Sequence, residues 1–109
     1  MTYKLTIIVP VYNEQENLDR VETELSNYLK IAAVPTSILF VNDGSKDNSQ
    51  DLIEAICERN EAFDYISFKD NKGLSAAIKA GFDHIDSELV GYIDSDLQTA
   101  PEDFNILLE

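Results

Sequence analysis

A doubly wound, mostly parallel α/β sheet is the fold this sequence predicts, on three observations. Short apolar, β-branched runs alternate strictly with amphipathic helical periods along the chain. The first run, Leu5 to Val11, is apolar almost continuously, as expected of a strand buried on both faces. Polar residues and turn formers collect directly after each run, at the sheet edge where open α/β sheets place their ligands.

Each element has its own justification. Ser37 to Val41, Tyr65 to Phe68 and Leu89 to Ile93 are the further strand runs after Leu5 to Val11. Between the first two lies a stripe of Leu18, Val21, Leu25, Tyr28 and Leu29, with acids and amides on the opposite face. Leu52, Ile53, Ile56 and Cys57 form the second stripe. Leu74, Ala77, Ile78, Gly81, Phe82 and Ile85 form the third, spaced i, i+3, i+4, i+7, i+8, i+11, the cleanest helical period in the chain. Asn13 with Glu16, Asp47 with Gln50, and Thr99 with Glu102 have capping-box spacing, and Pro101 suits a first helical turn. The β-α-β-α-β-α-β order implies right-handed crossovers and helices covering the sheet.

Size and charge bound the function. The 109 residues make at most one domain, and 44% apolar content supports a core. A formal net charge of −13 argues against nucleic-acid backbones and anionic lipid surfaces as direct partners. A nucleotide ligand stays compatible, because a bound divalent ion supplies positive charge. The single cysteine, Cys57, sits among Leu52, Ile53 and Ile56 and reads as a small buried residue in a reducing compartment. The N-terminus runs from Lys4 straight into a strand with no signal-peptide pattern, and no apolar stretch approaches the ~20 residues of a membrane span. His84 reads as a solvated helix residue with no role.

The residues after the strands carry the chemistry. Strand one leads into Tyr12-Asn13-Glu14, strand two into Asn42-Asp43-Gly44-Ser45, strand three into Asp70-Asn71-Lys72-Gly73. Strand four ends in Asp94-Ser95-Asp96. In an extended segment residues i and i+2 share a side, so Asp94 and Asp96 converge. Their repulsion is costly without a cation between them, and hard carboxylate oxygens suit Mg²⁺ or Mn²⁺. Each group alone is also ordinary turn or cap chemistry.

Four segments together resemble the N-terminal part of a family 2 glycosyltransferase. They are Ile8-Val9-Pro10-Val11-Tyr12-Asn13-Glu14, Val41-Asn42-Asp43-Gly44-Ser45, Asn71-Lys72-Gly73-Leu74-Ser75-Ala76-Ala77, and Asp94 through Glu102. The closest likeness is to polyprenyl-phosphate sugar synthases such as dolichyl-phosphate mannose synthase. The resemblance implies a GT-A (Rossmann-like) fold with strand order 3-2-1-4. Residues 1–109 would then be the truncated nucleotide-sugar-binding part of a glycosyltransferase domain. It implies nucleotide contacts from Pro10, Tyr12, Glu14, Asp43, Asp94 and Asp96, with Tyr12 beside the base and Asp43 accepting from it. Asp94, Asp96 and Gln98 would hold Mg²⁺ or Mn²⁺ and, through it, the donor diphosphate. Asn71 and Gly73 match a loop near the nucleotide, with a helix-starting turn as the alternative. Asn42 stands where the family often has a first Asp.

The implied reaction is inverting transfer from a UDP- or GDP-linked sugar to an acceptor, a polyprenyl phosphate ahead of a hydroxyl acceptor. No residue of the chain is assigned as catalytic. The resemblance places the longer protein at the cytoplasmic face of a membrane in cell-envelope glycan synthesis and implies that the truncated part is inactive alone; its open strand-four edge and the unfinished Phe104–Leu108 helix are expected to drive self-association through one or the other. Two other classes compete. A nucleotidyltransferase would need a Gly-rich basic loop where Tyr12-Asn13-Glu14 stands. A phospho-accepting receiver domain would use Asp70 and a lysine after a fifth strand.

Overall fold

The computed structural model describes residues 3–93. Its elements are β1 (Leu5–Val11), α1 (Leu18–Ile31), β2 (Thr36–Asp43), α2 (Ser49–Arg59), β3 (Phe63–Phe68), α3 (Leu74–His84) and β4 (Leu89–Tyr92). The four strands form one sheet in the order β3-β2-β1-β4, and every pairing is parallel. The expected order and alternation are therefore present. β1 has the bounds the sequence predicts, β2 and β3 begin one and two residues earlier than expected, and β2 runs on to Asp43. That extension places Asn42 and Asp43 on the strand itself, opposite Ser67 and Phe68 of β3.

Alternation along β1 divides the core. Leu5, Ile7, Val9 and Val11 face α1 and α2, joined by Leu18, Val21, Leu25, Tyr28, Ile53 and Ile56. Ile8, on the other face, packs with Leu39, Val41 and Ala77 under α3. Helices thus cover both faces, as right-handed crossovers require when strand order reverses between β3 and β4. Phe40 and Phe63 pack with ring centroids 5.9 Å apart. Arg59 at the end of α2 pairs with Glu22 of α1, and Asn60 donates to the same carboxylate at 2.7 Å, tying the two helices together.

α3 lies close on the sheet because Gly81 faces Ile8: a Cβ there would stand 2.7 Å from Ile8 Cδ1. The third apolar stripe is only partly buried. Ala77 and Gly81 meet the sheet, while Leu74 and Phe82 remain 52% and 53% exposed. His84, on the opposite flank, reaches toward Asp64 of β3 at 3.8 Å, so the Leu74–Ile78–Phe82 row is the flank turned away from β3.

The two expected capping boxes that fall on described residues do not form. α1 begins at Leu18 after Asn17, not after Asn13, and Asn13 instead has a left-handed φ of 53°. α2 begins at Ser49, and Asp47 accepts from the Ser49 N–H at 2.9 Å as a turn ahead of the helix, while Gln50 points elsewhere. The Thr99–Glu102 box lies outside the described residues.

Candidate functional site

The loops after β1, β2 and β3 meet at the carboxyl edge of the sheet. The first two are laced by five hydrogen bonds, each from a backbone N–H to a side-chain oxygen of the other loop. Asn13 donates to Ser45 Oγ (3.0 Å), Glu14 to Ser49 Oγ (2.9 Å) and Gln15 to Asp47 Oδ2 (3.3 Å). In return Lys46 donates to Asn13 Oδ1 (2.7 Å) and Asn48 to Gln15 Oε1 (2.9 Å). Reaching Ser45 and Lys46 at once explains the left-handed backbone of Asn13, a conformation asparagine tolerates better than most residues. Burial pushes the Asp47 carboxyl up, but hydrogen bonds from Ser49 and from the Gln15 backbone outweigh it and hold the group below its ordinary range.

β2 supplies two buried polar side chains at its end, Asn42 and Asp43, 3% and 5% exposed. Each is fully engaged with a different neighbour. Asn42 donates to Gln50 Oε1 at 2.7 Å and accepts from the Ser45 N–H at 3.1 Å. Gln50 Oε1 also accepts from Ser67 Oγ at 2.6 Å, which links β2, α2 and β3. Asp43 reaches across to the β3–α3 loop, where Oδ1 accepts from Lys72 N–H (2.6 Å) and Oδ2 from Gly73 N–H (2.9 Å). The Asn71 amide donates to the same carboxylate at 3.1 Å and to the Asp43 carbonyl at 3.2 Å.

The other expected site residues fall around this floor. Tyr12, directly after β1, is 44% exposed. Glu14 is half-buried and accepts from the Asn17 side chain at 2.7 Å. Pro10 lies two residues beyond Ile8, whose carbonyl accepts from Ile93 at 3.0 Å, so its ring nitrogen faces the β4 edge past the last paired residue. A residue without an N–H fits there. Lys72 sits with its ammonium 4.8 Å from the Phe68 ring centroid. Asp94, Asp96 and Gln98 lie outside the described residues; among those described, no cluster of acids, histidines and cysteines has the spacing of a metal site.

Three features went unread in the sequence. Ser45 and Ser49 serve as acceptors for the first loop, and Gln50 joins Asn42 to Ser67. Only the neighbouring turn residues hinted at them. Asp70, which kept the receiver reading open, is an exposed loop residue whose backbone packs on Gly44. Two clefts lined by described residues lie at the opposite, amino end of the strands. One of about 140 Å³ is lined by Thr6, Ser37, Asp64, His84 and Asp86, with the hydroxyls of Thr6, Ser37 and Ser87 bonded to one another at 2.9 Å.

Comparison with known proteins gives a consistent result. The chain is 38% identical over 101 residues to an undecaprenyl-phosphate 4-deoxy-4-formamido-L-arabinose transferase of Yersinia enterocolitica, covering 92% of the chain and 31% of the relative. It is 36% identical over 107 residues to the protein of the same description from Serratia proteamaculans, covering 97% and 33%. The chain thus spans about a third of the length of these relatives. Among solved structures, a Pyrobaculum calidifontis mannosyltransferase, PcManGT, in complex with GDP-Man and Mn²⁺ superposes with a TM-score of 0.72 at 22% identity, over 88% of the chain and 28% of that protein. S. aureus TarS 1–349 in complex with UDP-GlcNAc superposes with a TM-score of 0.65 at 25% identity, over 85% and 26%. The fold is that of the GT-A glycosyltransferases. The sequence profile described as Glycosyl transferase family 2 matches residues 6–109, and the chain belongs to that family.

Proposed function

We propose that this chain forms the donor-binding part of an inverting glycosyltransferase that uses a nucleoside-diphosphate sugar and delivers the sugar to a polyprenyl phosphate. The observation that carries the reading is the convergence of the 12–15, 42–49 and 70–73 loops at one sheet edge, with Asn42 and Asp43 buried beneath them. The undecaprenyl-phosphate description of the relatives supports the acceptor class.

Tyr12 would flank the nucleobase, with Pro10 and Glu14 shaping the first-strand wall and Asp43 at the floor. Asp94 and Asp96, with Gln98, would hold Mg²⁺ or Mn²⁺; their carboxylate oxygens are the hard donors such ions take. When bound, the ion supplies positive charge against the leaving diphosphate. A lipid phosphate brings its own oxyanion as nucleophile, so a general base matters less than for a hydroxyl. Such an acceptor would bring the reaction to a membrane surface, with the cytoplasmic face as the reading, and the relatives' further two thirds of chain would be needed for turnover.

Titration calorimetry with UDP and GDP, each with and without Mn²⁺, tests the donor reading. Metal-dependent binding of one nucleotide, lost in Asp96→Asn with the fold intact, is expected. Equal binding with and without metal, or none to either nucleotide in the longer protein, refutes it.

A further inference from the structure

We infer that Asp43 is a positioning residue: its carboxylate builds the β3–α3 loop into the third wall of the nucleotide pocket by capping α3 from another strand. The placement of that pocket rests on the proposed donor reading; the capping role does not.

Four observations lead there. α3 has no side-chain cap of its own, because its N-cap is Gly73 with a φ of 101°, a residue that has no side chain to offer. The N–H groups of the N-cap residue Gly73 and of Lys72 just before it both go to Asp43, one to each oxygen. The Asn71 amide adds bonds to the same carboxylate and to the Asp43 carbonyl, so one side chain holds three consecutive residues. An unpaired N–H at a helix start is costly to bury, and an ionised acceptor also complements the positive end of the helix.

The fourth observation is independent of the carboxylate. Gly44, with a φ of 71°, lies so near the same loop that a Cβ would stand 2.4 Å from both Asn71 N and Asp70 C. Both contacts are backbone atoms, which cannot rotate aside. The Asp43-Gly44 pair therefore does two linked things: the glycine lets the loop approach, and the carboxylate fastens it. Loosening the loop would also release Lys72, a cation at this edge, from its seat over Phe68.

This assignment separates from direct base reading. A carboxylate that only reads a base leaves the empty protein unchanged when it is removed. A carboxylate that positions the loop changes the empty protein first, and the ligand through it. Amide hydrogen exchange without ligand is the primary measurement, on Asp43→Ala, Asp43→Asn and Gly44→Ala. In Asp43→Ala, exchange at Lys72 and Gly73 should rise by roughly 10- to 100-fold, the equivalent of one bond to a charged acceptor. Amides of the β1 core such as Ile7 and Val9 should stay protected. Asp43→Asn keeps one carbonyl oxygen and should retain protection at one of the two amides. Gly44→Ala, which leaves the carboxylate in place, should expose the same amides and weaken nucleotide binding with it.

Unchanged exchange at Lys72 and Gly73 in both Asp43 variants overturns the inference. So does Gly44→Ala with loop protection and nucleotide binding at the parent level. If Asp43→Ala fails to fold, the milder Asp43→Asn decides. Should the parent bind no nucleotide, the donor reading falls while the exchange result still stands or fails alone.

Discussion

Replacing Gly81 with alanine sets two effects of known size against each other at the contact that seats α3. Alanine is the better helix former by about 0.8–1.0 kcal/mol, so on propensity alone the variant gains stability. The added methyl would lie 2.7 Å from Ile8 Cδ1 and 3.0 Å from both Cγ1 and Cγ2. Cδ1 can swing away, but the two γ carbons sit on a β-branched side chain, fully buried with little rotamer freedom. Overpacking of this kind costs about 1–3 kcal/mol, and three close atoms place the site toward the upper part of that range. The clash should win, with a net loss of about 1–2 kcal/mol. Urea unfolding followed by circular dichroism reads it as a lower midpoint at unchanged slope. Ile8→Val removes only Cδ1, so in the double variant part of the loss should be recovered relative to the sum of the singles. A midpoint equal to or above the parent, or strict additivity, refutes the close-packing argument.

Further predictions concern the site. Asp96→Asn should abolish Mn²⁺-dependent nucleoside-diphosphate binding and leave metal-free stability equal or slightly higher, read by calorimetry and thermal melting. Asn13→Ala, which loses the bond to Lys46 and places a poor residue at a φ of 53°, should destabilise by about 1–2 kcal/mol in chemical denaturation. Because the folded Asp47 carboxyl lies below its ordinary value of 3.8, the stability it lends is present above that value and is lost as pH falls through the folded one. Asp47→Asn should flatten that acid limb in pH-dependent melting, and an unchanged limb would show the group contributes nothing there. Burial, and then the nearby Asp64 charge, push the Cys57 thiol up to about 12, so it should resist thiol reagents at pH 8 until the chain is unfolded.

The sequence made the sheet legible because burial on both faces leaves a strong mark: Leu5 to Val11 has no alternative period, and its bounds agree with the structure. Helix faces were read less fully. Leu74 and Phe82 satisfy the helical spacing yet remain exposed, since spacing identifies a stripe and only tertiary packing decides how wide a part of it is covered. Caps misled for a related reason. Asn13 has the residue type and spacing of a cap, but its side chain meets the backbone of the β2–α2 loop, a partner 33 residues away. In the site, residue types pointed to the right edge, while the pairing of Asp43 with residues 71–73 depends on a contact across some 30 positions that no local pattern encodes.

The lacing of the loops has an electrostatic consequence for any anion that enters. A helix start ordinarily offers free N–H groups and a partial positive charge, a ready seat for phosphate. Here several of the donors that lead into the helices are already bonded within the chain. At α1 the N–H groups of Asn17 and Leu18 go to the Glu14 carbonyl. At α2 those of Asn48 and Ser49 go to Gln15 and Asp47, and at α3 those of Lys72 and Gly73 go to Asp43. Two of the three acceptors at the α2 and α3 starts are carboxylates, which cancel the helix-end potential as well as fill its donors. A doubly charged diphosphate would therefore find these six amides already taken, on a chain of net charge −13. Side-chain cations such as Lys72, or an ion that arrives with the ligand, would supply counter-charge here, so affinity for a bare diphosphate should be lower than for the metal-bound one.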